Sequence, residues 1–218
     1  NDTFDLYVPD LYNPDKAFGL YVHMSPGSSA MIPGGYKSVF DKHKLLCASP
    51  YNAGNDTPVF RKMAAALACV ETVKAEYSID EDRVYIGGLS GGGITSVQAH
   101  FLYPEVFKGN ISHARGSYVP RGWEKDSSRV GVQFVPVSSL DDFVEMNHGW
   151  VFISGENDMN YEHVQKTVPK WKDLGFNVKF IDVDGMGHEN APPDAFDEAL
   201  EYLEKQRQKD SGTAGVGF

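Results

Sequence analysis

One stretch constrains this chain more than any other. Gly87-Gly88-Leu89-Ser90-Gly91-Gly92-Gly93 follows the apolar triplet Val84-Tyr85-Ile86 and precedes Ile94, Val97, Phe101 and Leu102 at helical spacing. The order is strand, tight turn, helix. Gly-x-Ser-x-Gly alone carries little weight in a chain with 22 glycines. Its context is more specific, because a serine at the apex of a strand-to-helix turn needs small neighbours on both sides. Ser90 then stands at a helix N-terminus, where unpaired N–H groups and the helix dipole favour negative charge. The Gly91 N–H is placed to donate to an oxyanion. The plain alternative is a capping serine in a glycine-rich turn. A phosphate-binding turn fits less well, since no Gly-x-Gly-x-x-Gly with a following acidic partner and no Gly-Lys-Ser/Thr occurs.

The rest of the chain alternates strand and helix patterns, which predicts an α/β fold with a mostly parallel sheet covered by helices on both faces. Strands are expected at Thr3 to Pro9 (an edge), Phe18 to Met24, Lys44 to Ala48, Val84 to Ile86, Asn110 to Ser112, Trp150 to Ser154 and Val178 to Val183. A helix is expected after Asp56 or Thr57 as N-cap with Pro58 at its first helical position, presenting Phe60, Met63, Leu67, Val70, Val73 and Tyr77. Two more carry Tyr161, Val164, Val168, Trp171 and Leu174, closed by Gly175, and Phe196, Ala199, Leu200 and Leu203 over Asp194 to Lys205. Tyr118 to His148 has no clean period. Residues 1–209 read as one domain and 210–218 as a disordered tail. Trp123, Phe134, Trp150 and Tyr103 read as core and not as a sugar-binding platform.

When a nucleophilic serine occupies such a turn, its partners follow in the order Ser, Asp/Glu, His. Strand Val178 to Val183 leads to Asp184-Gly185-Met186-Gly187-His188, and the two glycines let this loop carry the imidazole over the sheet edge. His100, His113 and His163 sit on elements, and His23 and His43 precede the serine. Strand Trp150 to Ser154 leads to Gly155-Glu156-Asn157-Asp158, so Asp158 is the expected acid, with Glu156 as its rival and Asp141 and Asp142 less well placed. A second oxyanion donor is expected from His23-Met24-Ser25-Pro26-Gly27, as the N–H of Met24 or Ser25; Pro26 has none.

Composition excludes some classes. A net charge of −10 without a Lys/Arg cluster opposes nucleic acid as a partner. No apolar run reaches the roughly 18 residues of a membrane span. Cys47 and Cys69 lack a metal-ligand spacing and read as buried thiols, with a disulfide as the alternative. Asp182-Val183-Asp184-Gly185 lacks the closing Glu of a calcium loop, since Pro193 stands there. His188-Glu189 is not a zinc motif. Asn-x-Ser/Thr triplets occur at Asn1, Asn55 and Asn110. The chain begins at Asn1 and not at Met, compatible with an upstream segment having been removed; the compartment stays open, with export or a periplasmic setting favoured over the cytoplasm.

Three segments together resemble the esterase family that includes feruloyl and acetyl-xylan esterases and polyhydroxybutyrate depolymerases. They are Tyr77-Ser-Ile-Asp80-Glu-Asp-Arg83-Val-Tyr-Ile-Gly-Gly-Leu-Ser90-Gly-Gly-Gly, Ser49-Pro50-Tyr-Asn-Ala-Gly54-Asn and Gly185-Met-Gly187-His188. The resemblance implies an α/β-hydrolase fold, no cofactor and no metal, and hydrolysis of carboxylic esters, small or polysaccharide-linked, by Ser90, Asp158 and His188. The family usually has His-Gly at the oxyanion loop, where this chain has His23-Met24-Ser25, and a helix where Tyr118 to His148 lacks a clear one. Two other readings are a prolyl-oligopeptidase-like peptidase and a non-catalytic binding module of the same fold.

Overall fold

The computed structural model describes residues 3–115 and 140–213. Seven strands form one sheet: β1 (Phe4–Tyr7), β2 (Phe18–Met24), β3 (Leu45–Pro50), β4 (Ile79–Leu89), β5 (Gly109–His113), β6 (Gly149–Ser154) and β7 (Val178–Asp182), in the order β1-β3-β2-β4-β5-β6-β7. Only β1 is antiparallel; every other pairing is parallel. The helices are α1 (Lys37–His43), α2 (Val59–Glu76), α3 (Gly91–Leu102), α4 (Leu140–Glu145), α5 (Tyr161–Asp173) and α6 (Pro193–Thr213).

Strand periodicity divides the core in two. Successive side chains on a strand point to opposite faces, so Leu20, Val22, Val84 and Ile86 pack with Met63, Ala66, Cys69 and Val70 of α2, while Trp150 and Phe152 pack with Val164, Val168 and Trp171 of α5. The intervening Tyr21, Tyr85, Val151 and Ile153 face the other way, onto Val39 and Phe40 of α1 and Phe196, Leu200 and Leu203 of α6. Trp150 is buried in the cluster under α5, and Tyr103 packs against the cluster under α2; Trp123 and Phe134 lie outside the described residues.

The structure differs from the sequence reading at several points. α1 and α4 were not expected. Helix α2 starts at Val59 with Pro58 at the cap position, and Thr57 donates its hydroxyl to Asn52 O (2.9 Å) instead of capping. Phe60 is 70% exposed. The inward stripe is Val59, Met63, Ala66, Val70 and Val73, at i, i+4, i+7, i+11 and i+14, and Phe60 lies about 100° round the helix from it. α6 continues past Lys205 to Thr213, so the expected tail begins within a helix; residues 214–218 lie outside the described residues. Gly175 follows α5 with φ +90°, as a left-handed helix stop requires. Cys47 and Cys69 are free and buried. Asn110 is wholly buried on β5, which removes its triplet from the surface; Asn1 lies outside the described residues. Among the described residues no helix is long and apolar enough to cross a membrane.

Candidate active site

The parallel strands end together along one edge, and β4, β6 and β7 each deliver one of the expected side chains there. Ser90 follows β4 with φ +54° and ψ −116°, a strained conformation for a residue with a Cβ. Neighbouring backbone holds it. Ser90 N–H donates to His113 O at 3.0 Å, and Ile94 N–H donates to Ser90 O at 3.1 Å. The turn closes because Gly88 and Gly92 bring no Cβ: at either position one would collide with the Met24 carbonyl oxygen at the end of β2. This is the steric reason for the glycines around Ser90.

Asp158 lies beyond β6, its side chain fully shielded. Its Oδ2 accepts from Ser154 Oγ at 2.6 Å and its Oδ1 from Asn160 N–H at 3.1 Å. The His188 Nδ1 is 2.8 Å from Asp158 Oδ1, and its Nε2 is 2.9 Å from Ser90 Oγ. A carboxylate only accepts, so the ring proton belongs on Nδ1 and Nε2 is free to accept from the serine hydroxyl. The three residues expected from sequence are thus brought into one hydrogen-bonded line, which joins positions 30 and 98 residues apart in the chain. The rival Glu156 does something else: both of its carboxylate oxygens accept from Gly185 N–H at 2.9 Å, which fastens the turn before His188. Asp141 and Asp142 lie on α4 in the segment before β6.

Several supporting residues escaped the sequence reading. Asn160 Nδ2 donates to Ala114 O at 3.0 Å, and its Oδ1 accepts from Arg115 Nη1 at 2.9 Å. The Tyr36 hydroxyl donates to Ala191 O at 2.7 Å, and Ala191 N–H donates to His113 Nδ1 at 3.3 Å, so both main-chain polar groups of a residue three past His188 are held by buried side chains. Asn160, two residues past an acid on the same turn, is the one with a local sequence signal. Burial lowers the pKa of His113 well below the ordinary histidine value, with the nearby His23 adding to it. His23 is brought down to about 4 by burial alone. His100 is in the last turn of α3, with Nε2 2.9 Å from His148 Nδ1, and is likewise held neutral by burial. None of these three is placed to serve Ser90.

At the second oxyanion position, Met24 is the last paired residue of β2, opposite Gly88, with its carbonyl turned into the Ser90 turn. Ser25 is buried just beyond, and its Oγ accepts from Gly27 N–H at 3.1 Å. Among the described residues neither the Ser25 N–H nor the Gly91 N–H has a protein acceptor. No group of three or more His, Cys, Asp or Glu side chains among them is arranged to hold a metal.

A mixed, mostly parallel sheet with helices on both faces and a serine on a glycine-lined strand-to-helix turn defines an α/β-hydrolase. Residues 52–210 match the prolyl oligopeptidase family, and the chain belongs to it. A poly(3-hydroxyalkanoate) depolymerase C of Paucimonas lemoignei is 30% identical over 105 residues, 42% of this chain and 25% of that relative. The chain therefore spans about a quarter of the length of the curated relative it matches. Among solved structures, a thermostable esterase aligns with a TM-score of 0.64 at 20% identity, over 94% of this chain and 59% of that one. A ferulic acid esterase aligns with a TM-score of 0.69 at 15% identity, over 95% and 92%. At these identities the two structures speak for the fold.

Proposed function

We propose that this chain is a serine esterase that cleaves carboxylic esters through an acyl-enzyme. The observation that carries the reading is the line Ser90 Oγ–His188 Nε2 (2.9 Å) and His188 Nδ1–Asp158 Oδ1 (2.8 Å), with Ser90 half-buried on a strained turn. His188 takes the Ser90 proton as Oγ attacks the ester carbonyl. The buried Asp158 carboxylate fixes the ring and stabilises its charged form. The N–H groups of Gly91 and Ser25 hold the oxyanion; Ser25 is favoured over Met24, whose backbone ends the strand ladder. As the tetrahedral adduct collapses, His188 protonates the leaving alcohol, and the acyl group stays on Ser90. Water, deprotonated by His188, then attacks this ester and releases the acid.

The names of the relatives favour an ester: a polyester depolymerase and a ferulic acid esterase. Family membership favours a second reading, a peptidase, since the same triad cleaves amides. Rates on an ester and an amide with a common acyl group separate the two. The parent test is Ser90→Ala, which should abolish turnover of a short-chain aryl ester and labelling by a fluorophosphonate while leaving the far-ultraviolet circular dichroism unchanged. Turnover that survives this substitution refutes the assignment.

A further inference from the structure

Asn55 belongs to no element, yet its side chain lies against the Ser90 turn. The β3–α2 loop that carries it is tied to the loop that carries Ser25. Asn55 N–H donates to Pro26 O at 2.9 Å, and Asn52 N–H donates to Ser28 O at 2.7 Å. Gly54 packs so closely on the Gly27–Ser28 peptide that a Cβ there would lie 2.8 Å from Ser28 N. Within the loop, Thr57 N–H donates to Gly54 O at 3.0 Å. From this anchored backbone the carboxamide reaches Gly91. A Cβ on Gly91 would overlap Asn55 Oδ1 and would sit 2.7 Å from Cγ and 3.1 Å from Nδ2. The missing Cβ of Gly91 is thus the space the Asn55 carboxamide occupies.

Two features set this contact apart from an incidental one. The carboxamide has two donors and an acceptor oxygen; Asn55 is exposed and its side chain makes no hydrogen bond among the described residues, so a donor is available to a substrate. It also bridges the two backbone groups that stand unpaired at the site: its own main chain is bonded to the residue after Ser25, and its side chain touches Gly91. We propose that Asn55 Nδ2 is a third donor to the substrate carbonyl oxygen, strengthening as that oxygen becomes the oxyanion. This rests on the esterase reading above. An amide suits the task because it donates without a titratable charge, and a donor aimed at developing charge lowers the barrier more than it tightens ground-state binding. Asparagine and aspartate are close to isosteric, so Asn55→Asp exchanges a donor for a negative charge beside the oxyanion with little change in shape.

The experiment is steady-state kinetics on a short-chain aryl ester, with protein made in a bacterial host so that the Asn55-Asp56-Thr57 triplet stays unmodified. The forms compared are wild type, Asn55→Ala and Asn55→Asp. Removing one oxyanion donor costs on the order of 10²-fold in kcat. Asn55→Ala is expected to lose about that much with KM nearly unchanged, and Asn55→Asp more. Binding of a boronic acid that mimics the tetrahedral adduct should weaken in parallel with kcat/KM, while binding of the product acid should not. Thermal midpoints identify a variant that fails to fold, in which case the other variant decides. A wild-type protein with neither turnover nor fluorophosphonate labelling overturns the esterase reading, and this inference with it. An active wild type whose folded Asn55→Ala variant keeps kcat within about twofold, or loses only KM, overturns the role of Asn55 and leaves the triad standing.

Discussion

Lowering the pH from neutral towards about 4 should steeply destabilise this protein through its buried histidines. Three histidines, His23, His100 and His113, have no measurable exposure and are kept uncharged by burial. His23 is brought down from 6.5 to about 4. In the unfolded chain it takes up a proton below about pH 6.5, whereas in the folded protein it waits until about pH 4. The unfolded state therefore binds more protons across that window, and stability falls as the pH falls. Each pH unit is worth about 1.4 kcal/mol per group, so His23 alone removes about 3 kcal/mol by pH 4. His113 and His100 act with the same sign. Against a total stability of roughly 5–15 kcal/mol for a domain, the loss from His23 alone is a large fraction, and the other two deepen it. Asp197, held below its usual range by hydrogen bonds to Lys42 and His43 that outweigh its desolvation, adds stability that is lost only below about pH 4, so it does not confound the window. The assay is the urea midpoint followed by circular dichroism from about pH 7 to about pH 4.5, on wild type and on His23→Phe. The variant should lose about 1.4 kcal/mol per pH unit from the slope. A midpoint that stays constant across the window, or a variant that keeps the full wild-type slope, refutes the reasoning.

Gly92→Ala should destabilise by about 1–3 kcal/mol and depress kcat, because its Cβ would strike backbone, the Met24 carbonyl, and displace the adjoining Ser25; urea unfolding and kinetics on the same sample check both. Ser154→Ala removes the 2.6 Å donor from the buried Asp158 carboxylate and should cost about 1.5–3 kcal/mol of stability together with part of kcat, with KM little changed. The thiols of Cys47 and Cys69 are buried, and desolvation pushes Cys69 up to about 12 and Cys47 upward as well; a chromogenic disulfide reagent should leave both unreacted in the native protein and titrate both in urea.

The sheet was legible where burial is continuous. All of β2, β3, β5 and β6 is buried; β2, β3 and β6 read as largely apolar runs, whereas β5, Gly-Asn-Ile-Ser-His, is buried with only one large apolar residue. Ser90 and His188 were legible because glycine punctuation marks the turns that carry them. Short helices were not: α1 spans seven residues and buries only Val39 and Phe40, too little for a period to emerge. On α2 the largest apolar residue near the start, Phe60, reads as inward, but the stripe is set by Val59, Met63 and small alanines that carry less apparent hydrophobicity. Supporting contacts leave no local trace. Tyr36 and Ala191 are 155 residues apart and His113 and Ala191 are 78 apart, and no pattern within a window links them. Asn55 is similar, since its meaning comes from Gly91, which meets it only through the fold.

The buried histidines and the site are physically connected through His113. Its carbonyl oxygen accepts the Ser90 N–H that holds the strained turn, and its ring Nδ1 accepts the Ala191 N–H that holds the loop beyond His188. An imidazole nitrogen accepts only while unprotonated. Burial therefore does more than displace a titration: it keeps His113 in the one charge state in which a single residue of β5 can tether both the nucleophile turn and the histidine loop. Protonating it would turn the Nδ1 acceptor into a donor facing another donor, and the Tyr36 hydroxyl bond to the Ala191 carbonyl would be left as the only side-chain hold on Ala191 among the described residues. One of the residues that lower stability in acid is thus also one that tethers the segments carrying two of the three proposed triad members.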